Sequence, residues 1–449
     1  RGTLASAPLV GGAPHEMLGG VHQADWAPDG SSLAVVRLDP LSKDTRLEYP
    51  IGRTLQRSVS YIMEPRVSPA GDRVAVFESL FHATKYQLAV FDRAGRRELS
   101  LPLEGLPFGL AWHPAGEEIW FSLIGADGSS LLAVRLDGKK RLVYRTVGSI
   151  QLYDISPNGK VLLGDHLPWH GIAGRGPGQT RERDISWLQL PIVRDLSADG
   201  RMLLFDEVGG SAGRGRGIYL RPLDGSPPMH VGQGTARLLS PDGKWVLSRN
   251  ADELTLLPTG VGNPRPLPKT LLDTTGACSW FPDGQRLLLS GRAPGERAHR
   301  LYVQDVAGGP PRAVTPPGVG FIGSIFSVRP LSSDGRQVVA LAPDGNLWLY
   351  SLTGDKPRAV AGFAPGDAVL RWSADGKSLF IWRRDPGAPV RVFRLDLTNG
   401  NKEPWLETRP PDPTGIYTYV SFMLTPDGKS YAYTYGRVLS QLYLVEGLR

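Results

Sequence analysis

Leu239-Ser240-Pro241-Asp242-Gly243-Lys244-Trp245-Val246-Leu247-Ser248 reads as the end of an apolar strand, a tight turn and a second strand of bulky residues. Pro presets the turn backbone, Asp hydrogen-bonds to it, and Gly accepts a positive φ. One such stretch is an ordinary hairpin. Here it recurs ten times, with turn glycines at Gly30, Gly71, Gly116, Gly159, Gly200, Gly243, Gly284, Gly335, Gly376 and Gly428. By subtraction their spacings are 41, 45, 43, 41, 43, 41, 51, 41 and 52 residues. A period of this length with four strands per unit is the mark of propeller blades. A helical repeat would need apolar residues at i, i+3, i+4 and i+7 over a dozen positions. The apolar runs are instead short, broken by Gly, Pro or Asp, and rich in Val, Leu, Phe, Trp and Tyr, which is strand composition.

After each turn comes a core strand, such as 74–78, 202–206 or 379–383, then a third strand such as 86–92, 218–224 or 390–397. A Gly- or Pro-rich turn leads on to a short outer strand such as 312–315 or 358–361. The last unit reaches its third strand at 441–447 and has no outer strand after it, so an earlier segment must supply one. Residues 182–188 (Glu-Arg-Asp-Ile-Ser-Trp-Leu) are the donor this reading selects. The expectation is an all-β fold: a six-bladed β-propeller over 181–449, closed by 182–188, and an N-terminal propeller part over 1–180. That first part holds four full repeats, Gly30 to Gly159, preceded by a fragment at 3–9 and 15–18 that reads as the third and outer strands of an earlier blade. With Arg1 as the first residue, the reading also expects further blades upstream. The alternative is one ring of ten blades closed by 15–18, outside the common range of roughly 4–8.

With 449 residues the chain can bury two full cores. The single Cys278 excludes an internal disulfide framework, and beside Trp280 on an inner strand it reads as a buried, inert thiol. The longest uncharged run, 313–328, contains Pro316, Pro317 and three glycines and is too short to span a bilayer. A net charge of +7 is spread thinly, so specific nucleic-acid binding is not expected.

Motifs with chemical meaning are few. Gly209-Gly210-Ser211-Ala212-Gly213 matches G-x-S-x-G, but a nucleophile elbow needs a strand-to-helix turn. Between blade strands, and followed by Arg214-Gly215-Arg216, it reads as a hairpin tip with some capacity to contact an anion or nucleic acid. His166 and His170 stand four apart, but Pro168 between them excludes the helix that would put them on one face. The Asp-Gly turns lack the calcium-loop pattern. No cofactor or metal is expected.

Aligning the repeats gives a more informative column, three residues before the turn Pro: Asp25, Arg66, Ala111, Asp154, Asp195, Leu238, Ser279, Pro330, Arg371 and Met423. The next column is apolar throughout: Trp26, Val67, Trp112, Ile155, Leu196, Leu239, Trp280, Leu331, Trp372 and Leu424. Strand neighbours face opposite ways, so the apolar column packs between blades and the other faces a neighbouring blade or the channel. Asp25, Arg66, Asp154, Asp195 and Arg371 are therefore the candidate ligand-binding residues at the channel mouths. The competing reading is that they only satisfy neighbouring backbone or pair with each other.

Trp26-Ala27-Pro28-Asp29-Gly30, Trp280-Phe281-Pro282-Asp283-Gly284 and Trp372-Ser373-Ala374-Asp375-Gly376 resemble the WD40-like Pro-Asp repeats of TolB-type propellers, and the resemblance covers essentially the whole chain. More narrowly, Gly2-Thr3-Leu4-Ala5, Gly11-Gly12-Ala13-Pro14, Ala24-Asp25-Trp26 and the ending 439–448 resemble the C-terminal propeller region of bacterial membrane-anchored serine/threonine protein kinases. That resemblance implies an extracytoplasmic sensor region, periplasmic or at the cell surface. The sequence contains no glycine-rich kinase loop, catalytic-loop Asp or Walker motif, so kinase activity is not assigned to these residues. The functional expectation is a non-catalytic scaffold that recognises a small-molecule ligand or protein partner for a signalling protein. The alternatives are assembly through strand edges, with self-association, and a propeller hydrolase.

Overall fold

The computed structural model describes all residues except 1, 9–10, 39–43, 59–60, 80–84, 126–127, 209–215, 251–252, 269–272, 321–328, 384–387 and 449. Among the described residues every regular element is a strand, and the sheets are antiparallel. The chain is an all-β propeller protein.

The repeated turn is built alike in each copy. All ten turn glycines have φ between 66° and 79°. In the copy at 240–245, the Gly243 N–H donates to Ser240 O (2.9 Å) and the Ser240 N–H to Trp245 O (2.8 Å). The Ser240 hydroxyl donates to Asp242 Oδ1 (2.6 Å) and accepts from the Trp245 N–H (3.0 Å). The Lys244 N–H also donates to Asp242 Oδ1. The same Ser- or Thr-to-Asp pairing recurs at Ser197, Ser332, Ser373 and Thr425. These hydroxyl donors hold Asp199, Asp242, Asp334 and Asp375 below the usual carboxylate range.

The chain divides into two compact units: 1–167 with 439–449, and 168–438. The division falls earlier than the break expected after residue 180, and it returns the last eleven residues, 439–449, to the first unit. The reason is strand continuity. Tyr431–Val445 is one unbroken strand, so 441–447 is not the third strand of the last unit. Val161–Arg175 is likewise unbroken and pairs with it.

In the second unit, six sheets follow one another around a ring. Their inner strands are Pro191–Leu196, Thr235–Leu239, Asp273–Trp280, the short segment 329–331, Asp367–Trp372 and Ile416–Leu424. Pro191–Leu196 contacts Thr235–Leu239, which contacts Asp273–Trp280; Arg329 bridges to Arg371, Asp367–Trp372 contacts Ile416–Leu424, and Ile416–Leu424 meets Pro191–Leu196 to close the circle. The closing sheet takes its inner two strands from the end of the unit and its outer two from the start. The second half of Val161–Arg175 is the third strand, and Arg183–Asp184 pairs outside it through Ala173 and Gly174. Two early strands thus complete the last sheet, where the sequence suggested one. Gly171 and Gly174 permit the close approach, since a Cβ at Gly171 would lie 2.1 Å from the Tyr435 ring.

In the first unit, inner strands His15–Trp26, Tyr61–Val67, Leu106–Trp112 and Ile150–Ile155 lead four successive sheets. His15–Trp26 is continuous, and its first half pairs with Gly2–Ser6, so 15–18 belongs to an inner strand rather than an outer one. The fourth sheet is completed by the first half of Val161–Arg175 and the end of Tyr431–Val445, where Val445 packs near Leu163 and Lys160 pairs with Glu446 (2.7 Å).

Of the ten residues in the apolar column, nine are buried between sheets; Trp26, on the first sheet, is 58% exposed. Strict alternation fails just before that column. The pairing of inner and second strands shifts register between Val21/Gln23, Met63/Arg66, Leu152/Asp154, Val193/Asp195, Ala236/Leu238 and Val369/Arg371. Such bulges add a residue to one strand and re-aim its side chain. In the second unit the added residues include Arg194 and Arg237.

Candidate ligand site on the axis of the second unit

The five candidate residues sit on inner strands, as alignment placed them, and each is bonded to backbone. In the first unit the Val67 N–H donates to Asp25 Oδ2 (2.8 Å), joining the first sheet to the second. Arg66 Nε donates to Leu110 O (2.8 Å) in the third sheet and Nη2 to Tyr153 O (3.4 Å) in the fourth, while Nη1 lies 3.9 Å from Asp25 Oδ1. One guanidinium therefore ties all four sheets. Asp154 is exposed and accepts from its neighbour, the Ile155 N–H (2.8 Å). Burial raises the Asp25 carboxyl above its usual range against the pull of the Val67 N–H and Arg66.

The second unit uses the same clasp. The Leu239 N–H donates to Asp195 Oδ2 (2.7 Å), and Arg371 Nη1 donates to Leu424 O (2.6 Å), each one sheet onward around the ring. Trp372 Nε1 returns the link by donating to Pro330 O (2.8 Å). Here the clasp leaves charge over. Asp195 is also ion-paired with Arg329, which stands three sheets away across the ring. Arg194 donates through Nε (2.6 Å) and Nη2 (2.9 Å) to the two oxygens of Asp206. Both partners are buried, and Arg216 approaches the same carboxylate at 4.0 Å. Burial pushes Asp206 up against the pull of Arg194.

Arg237 lies within electrostatic reach of Arg194, Arg249, Asp206 and Cys278, and burial lowers its pKa. Its Nε is buried with no hydrogen-bond partner among the described residues, and the same holds for Arg371 Nε. Burial, then the charge of Arg329, brings Arg371 down to about 10. A cavity of about 10 Å³ is lined by Asp195, Arg329, Arg371, Phe422 and Met423. Cys278, expected to be buried, is half-buried; burial pushes its thiol up to about 11 against the pull of Arg237 and Arg329, so it stays protonated at neutral pH. Arg194, Arg237, Arg329 and Arg371 thus come from four inner strands of this ring, with Asp206 beside Arg194 and Arg237 and Asp195 beside Arg329 and Arg371.

Arg194, Arg237 and Arg329 were missed from the sequence because they lie one column before the aligned one. Without the bulge, alternation would send that column away from Asp195 and Arg371. Three arginines recurring in one column of three repeats is the signal that could have found them. The G-x-S-x-G stretch and Arg214 lie outside the described residues, whereas Arg216 faces Asp206. Burial lowers His170, and its Nδ1 finds no partner among the described residues. Among those residues no three His, Cys, Asp or Glu side chains gather as metal ligands, and no helix is long and apolar enough to cross a membrane.

No protein-family model matches the chain, and no curated protein does. Solved structures similar to it include TolB-like propellers. A TolB-type protein from Agrobacterium tumefaciens is 22% identical over 61% of this chain and 99% of its own, with a TM-score of 0.44. An oligogalacturonate lyase from Vibrio parahaemolyticus is 14% identical over 59% of this chain and 77% of its own, with a TM-score of 0.39. The β-propeller domain of the Trilobed protease from Pyrococcus furiosus is 12% identical over 78% and 99%, with a TM-score of 0.30.

Proposed function

We propose that this chain is a binding propeller, not a catalyst, and that it recognises its ligand on the axis of the second unit. The observation that carries this reading is the charged set gathered there from inner strands around the ring, of which the sheet-to-sheet clasps consume only a part. Rigid rings that present converging polar groups suit recognition. The resemblance of 2–5, 11–14, 24–26 and 439–448 to the propeller region of membrane-anchored kinases supports a sensor role in signalling, outside the cytoplasm.

A thermal-shift screen of the full chain against metabolites, glycans, peptides and divalent metals tests the proposal. One ligand class should raise the melting temperature saturably, and Arg237→Gln should abolish the rise. A shift that survives that substitution places the ligand elsewhere.

A second reading has its own observation. In the strand Tyr431–Val445, Leu439, Leu442, Tyr443 and Leu444 are 54%, 64%, 47% and 61% exposed. An apolar strand of this kind invites pairing with another chain. Stable multimers in native mass measurements, lost in Leu442→Lys/Leu444→Lys, would favour assembly.

A further inference from the structure

One cavity of the first unit has no part in the axis of the second. Three strands each give it a pair of residues two apart: Tyr144 and Thr146, Leu163 and Asp165, Tyr443 and Val445. Alternation sets such pairs on one face of a strand, so the exposed neighbours Leu442 and Leu444 belong to the other face. The cavity measures about 350 Å³, close to the lower end of the roughly 300–1,000 Å³ usual for small-molecule sites. Leu163, Val445 and Leu448 make its wall apolar. Asp165 is the one charged residue on the lining, and its carboxylate has no hydrogen bond or ion pair with any described residue; its Oδ1 is buried. Lys160, just before that strand, is committed to Glu446 (2.7 Å). A Cβ at Gly148 would lie 3.7 Å from Asp165 Oδ1 and 3.8 Å from Thr146 Oγ1, so two acceptor oxygens flank one point that glycine leaves open.

From this lining we propose that the cavity binds a small amphipathic organic cation, with a primary ammonium on the Asp165 carboxylate and a compact aryl or alkyl group against Leu163, Val445 and Leu448. A buried carboxylate oxygen without a donor costs free energy that an ammonium N–H returns, and a charge-assisted bond is the stronger kind. An ammonium carries three donors, enough to reach Thr146 Oγ1 as well. Tyr144 and Tyr443, both half-exposed, put two aromatic rings on the lining, surfaces that attract organic cations. A calcium or magnesium ion needs a cage of oxygens where this lining offers one carboxylate, and has no use for the apolar wall. An anion meets an uncompensated carboxylate, and a neutral apolar molecule leaves its buried oxygen unpaired. All the lining residues belong to the first unit, so this inference stands or falls apart from the axial reading.

Isothermal titration calorimetry of the full chain tests the proposal, with 2-phenylethylammonium and cyclohexylmethylammonium as probes. Methylammonium carries the charge without the tail, 2-phenylethanol the tail without the charge, and phenylacetate the opposite charge. The two amphipathic ammonium probes should bind saturably, one per chain, and about tenfold or more tighter than any of the three controls. Asp165→Asn should weaken them by about tenfold or more, the loss of one charge-assisted bond, and bring them level with 2-phenylethanol. Because Asp165 bonds to nothing described, this variant's circular dichroism should match the parent's. Tyr443→Ala, at an exposed position, is a second variant that should weaken the same probes severalfold. Equal binding of 2-phenylethanol, undiminished binding in either variant, or no saturable binding of either ammonium probe at millimolar concentration overturns the proposal.

Discussion

Replacing Asp206 by Ala would leave the buried Arg194 guanidinium without the two hydrogen bonds, 2.6 and 2.9 Å long, that now compensate it. Asp206 is wholly buried and the Arg194 side chain is 2% exposed, so water cannot take over those bonds. Breaking a buried pair from one side costs about 3–5 kcal/mol, whereas replacing both partners by apolar side chains of similar size is often neutral or better. For a unit of this size, that cost lowers the melting midpoint by roughly 5–10 °C. Asp206→Asn, which retains one acceptor, should lose less. Calorimetry of the full chain should show the loss only in the transition of the 168–438 unit, since multi-unit chains need not melt in one step. Arg194→Met/Asp206→Leu should recover most of it. An Asp206→Ala midpoint within about 1 kcal/mol of the parent would refute the argument, since a buried uncompensated charge is incompatible with so small a change.

Three further outcomes follow from the same geometry. Arg66→Met should destabilise the first unit by about 2–4 kcal/mol in urea unfolding, through carbonyls left unpaired in two sheets. Gly428→Ala should cost about 2 kcal/mol or more: the residue sits at φ +70°, and a Cβ would come within 2.5 Å of Trp405 Nε1, which donates to Gly428 O. Its melting curve, beside that of Gly243→Ala, also at φ +70° but with open space at the Cβ position, separates the contact from the backbone effect. With the Cys278 thiol raised to about 11 from 9.0, its labelling rate should keep climbing above pH 9, where an ordinary thiol levels off. The sign for stability is the matching one: the neutral thiol's contribution is complete below pH 9 and is lost as pH rises through about 11.

The repeat was legible because each copy carries its own turn chemistry. Ser240, Asp242 and Gly243 dictate a local conformation that needs no distant partner, and nine of the ten apolar residues before the turns are buried as alternation requires. Long-range pairing was less legible. Nothing in 161–175 or 431–445 marks a strand as running from one unit into the other, since the same apolar and aromatic residues serve in both. Alternation placed Asp195 and Arg371 on inner strands, but the bulges at Arg194 and Arg237 break the rule on which it depends. A bulge is set by how two strands pair, so a single strand's sequence shows it only weakly. Nor could the column separate Arg66 from Arg371. Only the partners around each guanidinium reveal that one is saturated and the other is not.

The most direct test of the account is crystallographic: crystals of the full chain grown with the ligand that raises the melting temperature in the thermal screen. The account predicts ordered ligand density on the axis of the second unit, against the inner strands that carry Asp195, Arg237 and Arg371, and none there in Arg237→Gln crystals. Density confined to the outer strands, with the axis empty, would contradict it.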